Sequence, residues 1–214
     1  LQNPTIEGPK LYKRNGYYYI FAPAGGVPHG WQTVLRSKNI YGPYEPKIVM
    51  HQGNTEVNGP HQGGYVQLDG EKGAVIHFQD CGPYGRILHL QPLVWQNDWP
   101  FIGMEQNGDG IGEPVSNWSC MLPGKGGEAL KILTDDEFDG QTLGLQWQWQ
   151  ANPKREWYAL GAKKSCLRLY VQDNPAREEN LLWYAPNVLT QIPQSEEFRV
   201  EAKLYLTGKT EGDQ

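Results

Sequence analysis

The chain has 214 residues, with 19 Lys and Arg against 24 Asp and Glu and a net charge of −5. That length fits one large domain or two small ones and can bury a sizeable core. Its basic residues are scattered rather than gathered into a stripe, which argues against nucleic acid as a partner, and no apolar run approaches the roughly 18 residues that would cross a membrane.

The 26 glycines, 16 prolines and 8 tryptophans imply many turns and wide flat contact surfaces, and no segment carries a long helical period. An all-β soluble protein is the reading. An excess of Trp and Tyr on a mildly acidic β protein suits carbohydrate, because flat rings stack on the C–H faces of sugars, although any single ring more often belongs to a core. Cys81, Cys120 and Cys166 are odd in number and widely spaced. They support neither a disulfide framework nor a zinc site.

In chain order, strands are predicted at Lys10–Lys13 and Tyr17–Ala22, joined by Asn15-Gly16, a pair that tolerates the positive φ of a tight hairpin. Trp31–Ser37 follows a Gly25-Gly26 loop. Tyr65–Leu68 and Ala74–Gln79 flank a turn at Asp69-Gly70. Arg86–Gln91 and Leu93–Gln96 come next, with a break expected at Pro92. Such spacing suits a sandwich or a propeller. The Gly-rich stretch 104–117, "MEQNGDGIGEPVSN", loses all alternation and is predicted to be a linker that continues to residue 134.

A second region begins at "DDEFDG", residues 135–140. Leu143, Leu145, Trp147 and Trp149 alternate with Gly and Gln, which predicts a half-buried strand, and Trp157–Leu160, Leu167–Val171 and Phe198–Leu206 add others. The expected domains are therefore 1–103, a linker 104–134, and 135–214. A propeller blade takes roughly 40–50 residues, so residues 1–103 make about two blades where closed propellers have about four to eight. Both ends of the chain read as cut, and a missing N-terminal propeller half is an expected partner.

Several stretches together carry a resemblance. "IEGPKLYKRNGYYYIFAPAGG" (6–26), "RSKNIYGPYE" (36–45), "GPHQGGYVQL" (59–68), "IHFQD" (76–80) and "GRILHLQPLVWQNDWPFIG" (85–103) resemble, in order and spacing, the second part of the five-bladed β-propeller of family 43 glycoside hydrolases. "DEFDG…LGLQWQWQANP" and "LLWYAPNVLTQ" resemble the concanavalin-A-like β-sandwich appended in the β-xylosidase and α-L-arabinofuranosidase branch. The resemblance implies an inverting exo-hydrolase releasing terminal arabinofuranosyl or xylosyl units from plant hemicellulose or pectic glycans, exported to the periplasm or the exterior of a bacterium. Inversion needs two carboxyl groups roughly 6.5–9.5 Å apart.

By the same resemblance, the proton donor is the Glu of Glu-Gly-Pro, which is Glu7, and the general base lies upstream of residue 1. A donor of this kind needs a raised pKa, from burial or a neighbouring carboxylate. His61, in "GPHQGG", is read as exposed on a tight loop, and the family sets this histidine beside a calcium ion on the propeller axis. Calcium prefers oxygen ligands, so direct ligation and a water-mediated contact both stay open. Arg86 corresponds to an arginine reaching into the sugar pocket, where a guanidinium fork suits hydroxyls or a carboxylate; a cross-strand surface charge is the plainer reading. Trp31 is either a stacking wall for the sugar or a core residue.

One departure concerns specificity. Where β-xylosidases of this branch carry a run like Ala-Arg-Arg-Gln, this chain has Val188-Leu189-Thr190-Gln191, without the arginine pair, which tilts the expectation toward arabinofuranosidase or mixed activity. The apolar run in 180–191, "NLLWYAPNVLTQ", is expected to be a doubly buried strand or a docking surface that closes the active-site mouth. The alternatives are a non-catalytic carbohydrate-binding sandwich and the inactive half of a split enzyme. Glu7 discriminates, since a binding module needs no proton donor.

Overall fold

The computed structural model describes residues 3–119, 131–174 and 181–208. Asn15 and Gly16 both take positive φ, 47° and 79°, as a two-residue hairpin requires. They join β1 (Lys10–Arg14) to β2 (Tyr17–Ala24), with Arg14 opposite Tyr17. β3 (Trp31–Ser37) and β4 (Glu45–Met50) complete an antiparallel sheet in chain order. β5 (His61–Asp69), β6 (Lys72–Asp80), β7 (Arg86–Gln96) and β8 (Trp99–Ile102) repeat the same four-stranded meander. Two such meanders are two successive propeller blades.

The core is formed by residues of both blades: Tyr19, Phe21, Val34, Val49 and Met50 from the first, and Val75, Leu93, Trp95 and Ile102 from the second. Aromatic rings carry the contact. Tyr19 meets Trp95 edge-on at 4.8 Å, and Phe21 stacks on Tyr65 at 5.8 Å. Each such pair contributes about 0.5–1.5 kcal/mol beyond its buried area. Tyr12 adds a polar tie, its hydroxyl accepting the backbone N–H of Tyr65 at 3.0 Å.

β4 and β8 lie outside the strands expected from alternation, and β7 runs through Pro92 without a break. The reason is local. Pro92 C=O accepts the N–H of Gly103 at 2.8 Å, so the side on which Pro92 lacks a donor faces the end of β8, whose ladder stops at the pair Leu93–Ile102. Proline is tolerated where no ladder partner is owed a hydrogen bond.

The stretch 104–118 is not a free linker. Met104 and Glu113 exchange both backbone hydrogen bonds, and Met50 bridges Gly112 in parallel. Val115 N–H donates to Gln91 Oε1 at 2.8 Å, and Trp118 Nε1 donates to Leu90 C=O at 2.8 Å. Glycine here serves packing: a Cβ on Gly112 would lie 1.7 Å from the Ile102 carbonyl oxygen. Glu113 ends fully buried, at 0 % exposure, with Oε2 accepting Asn54 N–H at 3.4 Å and Oε1 unpartnered among the described residues.

Two compact units divide the chain, Leu1–Gly127 and Glu128–Gln214. In the second, β9 (Gln148–Trp149) pairs with β12 (Leu189–Thr190), and β10 (Tyr158–Leu160) with β11 (Leu167–Leu169). Buried Trp157 sits 5.8 Å from Trp149. The strand expected over 143–149 shrinks to its last two residues: Trp147 N–H turns back to Gly144 C=O, and Leu145 is 98 % exposed. Leu182–Tyr184 form a 3-10 turn with both Leu182 and Trp183 exposed, not a doubly buried strand, and the described residues 198–206 form no strand. Cys81 and Cys166 are free thiols; Cys120 and most of the stretch 118–127 lie outside the described residues.

Candidate active site

Glu7 stands three residues before β1, and its backbone N–H donates to Pro23 C=O at 3.1 Å. That bond fixes the backbone of the acid to the end of β2. From the second blade, Asn58 clamps the incoming loop to the end of β6: its amide donates to Asp80 C=O at 3.0 Å and accepts Asp80 N–H at 3.2 Å. The chain then enters β5 at His61, opposite Phe78 in the ladder.

His61 is therefore not on an exposed loop. It is 1 % exposed, with its ring stacked on Phe78 at 5.7 Å and 10°. Its Nε2 lies 3.3 Å from Glu7 Oε1. Burial pulls the His61 pKa below its ordinary 6.5, opposed by Glu7 and assisted by the charge of Arg86, so the imidazole is neutral near pH 7. Nδ1 is buried without a hydrogen-bond partner among the described residues.

Arg86 opens β7, and its guanidinium carbon lies 5.0 Å above the Phe78 ring. Glu7, His61 and Arg86 thus gather at one end of the two blades, linked through Phe78. Phe78 and Gln62 complete the cluster and were not singled out in the sequence. Gln62 Nε2 donates to the same Glu7 Oε1 at 3.0 Å. The motifs "GPHQGG" and "IHFQD" contained both residues, but nothing in either run marks the glutamine as aimed at a residue 55 positions away or the phenylalanine as a platform for His61 and Arg86.

Glu7 keeps 53 % of its side chain exposed, so these residues alone do not bury the acid. Trp31 is half-buried; its Nε1 donates to Asn3 Oδ1 at 3.2 Å, and its ring covers Gly25, where a Cβ would lie 2.5 Å from Cζ3. Calcium takes roughly six to eight oxygen ligands, whereas no three His, Cys, Asp or Glu side chains come together as a metal group among the described residues. One imidazole and one carboxylate do not by themselves fit that ion.

The two paired meanders thus bring a carboxyl group, a histidine and an arginine together at one end. Residues 2–100 match the family described as Glycosyl hydrolases family 43, and residues 135–214 match the Beta xylosidase C-terminal Concanavalin A-like domain. The chain belongs to glycosyl hydrolase family 43.

A protein of Xylanibacter ruminicola is 44% identical over 190 residues, which is 89% of this chain and 35% of that protein. A Formosa agariphila protein named beta-xylosidase is 34% identical, over 85% of this chain and 33% of its own length. A Bacteroides ovatus protein named non-reducing end alpha-L-arabinofuranosidase is 33% identical, over 79% and 33%. The chain spans about a third of the length of these relatives. Among solved structures, a bifunctional GH43-CE protein of Bacteroides eggerthii superposes with a TM-score of 0.66 at 33% identity, covering 87% of this chain and 23% of that one.

Proposed function

We propose that this chain supplies the proton-donor part of an inverting exo-glycoside hydrolase that removes terminal α-L-arabinofuranosyl or β-D-xylosyl units. The observation that carries the reading is the meeting of Glu7, His61 and Arg86 at one end of adjacent blades. Glu7 protonates the glycosidic oxygen as the C–O bond breaks, and the leaving alcohol takes the electron pair. Water attacks the anomeric carbon from the opposite face and gives its proton to a second carboxylate, roughly 6.5–9.5 Å from the first. That base belongs to polypeptide outside the 214 residues, in keeping with relatives of which the matched part is only about a third.

Neutral His61 beside Glu7 adds no positive charge that would favour the carboxylate, which suits a group that must carry a proton. Arg86 offers two parallel donors to sugar hydroxyls. Relatives named for both xyloside and arabinofuranoside cleavage support either sugar; the absence of an arginine pair at Val188–Gln191 favours arabinofuranoside or mixed activity.

The test uses the full-length polypeptide carrying Glu7→Gln, assayed on aryl arabinofuranosides and xylosides of graded leaving-group pKa. A proton donor matters most when the leaving group is poor. Loss concentrated on poor leaving groups supports the reading; equal loss across the series makes Glu7 structural.

A further inference from the structure

The two oxygens of the Glu7 carboxyl are not equivalent. Oε1 receives Gln62 Nε2 at 3.0 Å and faces His61 Nε2 at 3.3 Å. An amide NH₂ group can only donate, so Oε1 serves Gln62 as an acceptor, with the His61 ring nitrogen beside it. When the carboxyl group carries its proton, the oxygen engaged as an acceptor is the carbonyl oxygen and the proton sits on the other. We propose that Gln62 is a positioning residue that, together with His61, reserves Glu7 Oε1 as an acceptor and so commits Oε2 to carry the transferable proton. The proposal rests on the reading of Glu7 as the acid given above.

The local backbone is arranged for this contact. Gln62 has φ +53°, the left-handed region that few side chains other than Asn and Asp adopt readily. The ladder shifts register between His61 and Gly64, so an extra residue is accommodated there, and irregularities of this kind re-aim side chains. Gln62 is aimed across to the first blade, where Gly8 makes room. A Cβ on Gly8 would lie 2.2 Å from Gln62 Oε1 and 2.8 Å from its Nε2. The missing side chain in Glu-Gly-Pro is thus the space that the Gln62 amide occupies. A left-handed residue on one blade and a bare α-carbon on the other meet at the acid.

When the acid reacts, the Oε2–H bond breaks and its proton goes to the glycosidic oxygen. The carboxylate left behind keeps the Gln62 hydrogen bond on Oε1. That bond grows stronger as charge develops, since N–H donors favour the ionised form. Gln62 therefore both points the donor and stabilises its conjugate base.

The experiment uses the full-length polypeptide and two variants chosen to fold. Gln62→Gly relieves the positive φ and deletes the amide. Gln62→Asn is at ease in the left-handed region but is one methylene too short to reach Glu7. Both should melt at or above the parent temperature. Both should lose about 10- to 100-fold in kcat on poor leaving groups and only a few-fold on activated ones. The alkaline limb of their kcat/KM profile should move to higher pH, because a donor that favoured the carboxylate has gone. Folded variants that keep the parent leaving-group dependence and pH limb overturn the proposal, and so does a uniform loss across all leaving groups. A Glu7→Gln enzyme that itself shows no leaving-group dependence removes the acid reading, and this proposal with it; the Glu7 and Gln62 series therefore fail separately.

Discussion

Arg36 stands over Trp99, its guanidinium carbon 4.1 Å from the indole centroid and 4.8 Å from the ring centroid of Tyr17. The same fork donates to Asn97 C=O at 3.4 Å and Asp98 C=O at 3.2 Å, and pairs with Glu45 at 3.0 Å. Asn97 and Asp98, both at positive φ, form the turn between β7 and β8. One side chain of the first blade therefore holds the last hairpin of the second.

Removing it should be costly. Arg36→Ala is expected to destabilise the protein by about 2–3 kcal/mol, from a partly desolvated cation–π contact and lost charge-assisted hydrogen bonds. Arg36→Lys should recover less than half, because an ammonium lacks the planar fork. Thermal unfolding of the two variants measures the difference, and equal stability of both with the parent would show the contact to be idle.

His77 gives a pH prediction. It is buried, stacks on His89 at 5.3 Å, and has its pKa pushed down to about 4, with burial as the leading cause. Phe78 C=O, 3.2 Å from Nδ1, opposes the shift, and His89 assists it. The unfolded chain takes up a proton near the ordinary 6.5, before the folded one does. Stability is thus fully present above pH 6.5 and is lost as pH falls toward 4, by about 3 kcal/mol. Denaturant titrations at pH 7 and pH 4.5 should show this fall, and His77→Asn should flatten it.

Arg86 is expected to act on substrate through its fork. In the full-length polypeptide, Arg86→Lys should lower kcat/KM by about 10- to 100-fold while leaving the melting temperature within a few degrees, since the residue is exposed and its guanidinium stands over Phe78. Steady-state kinetics on a terminal arabinofuranoside and a xyloside decide it. A kcat/KM unchanged on both would return Arg86 to the role of a surface charge.

Glu113 offers a test of burial. A carboxylate at 0 % exposure with one oxygen unpartnered is an unfavourable arrangement within the described residues. Glu113→Gln is expected to leave stability unchanged or raise it by about 1 kcal/mol. A marked drop in melting temperature would mean that Oε1 has a partner beyond these residues.

Much of the propeller part was legible. Asn15-Gly16, Asp69-Gly70 and the apolar alternation of β2 and β6 announce hairpins through backbone freedom and period alone. Three features were not. Pro92 reads as a breaker because sequence does not reveal that β8 ends beside it. The glycines of 104–117 read as a linker because close backbone packing and chain flexibility call for the same residue. "LQWQWQ" reads as a strand because alternation cannot tell a turn that exposes Leu145 from a ladder that buries it. In the candidate site, Glu7, His61 and Arg86 were named through the stretches that carry the family resemblance. Phe78 and Gln62 were not: the Phe78 contacts depend on strand register within the second sheet, and the Gln62 contact on how two sheets meet and on a left-handed φ.

The acid is held from two sides. Its backbone is tied to Pro23 at the end of β2, and its carboxyl to His61 and Gln62 at the start of β5. The Glu7–Gln62 distance therefore registers how the first sheet sits against the second. A shift of about half an ångström between the sheets is enough to spoil a positioned donor. The spacing is set well away from the rim, by Tyr19 against Trp95 and Phe21 against Tyr65. Interior aromatic rings thus act as the gauge for the carboxyl group of Glu7, and under the role proposed for it, substitutions that merely thin this packing should be felt in turnover before they are felt in folding.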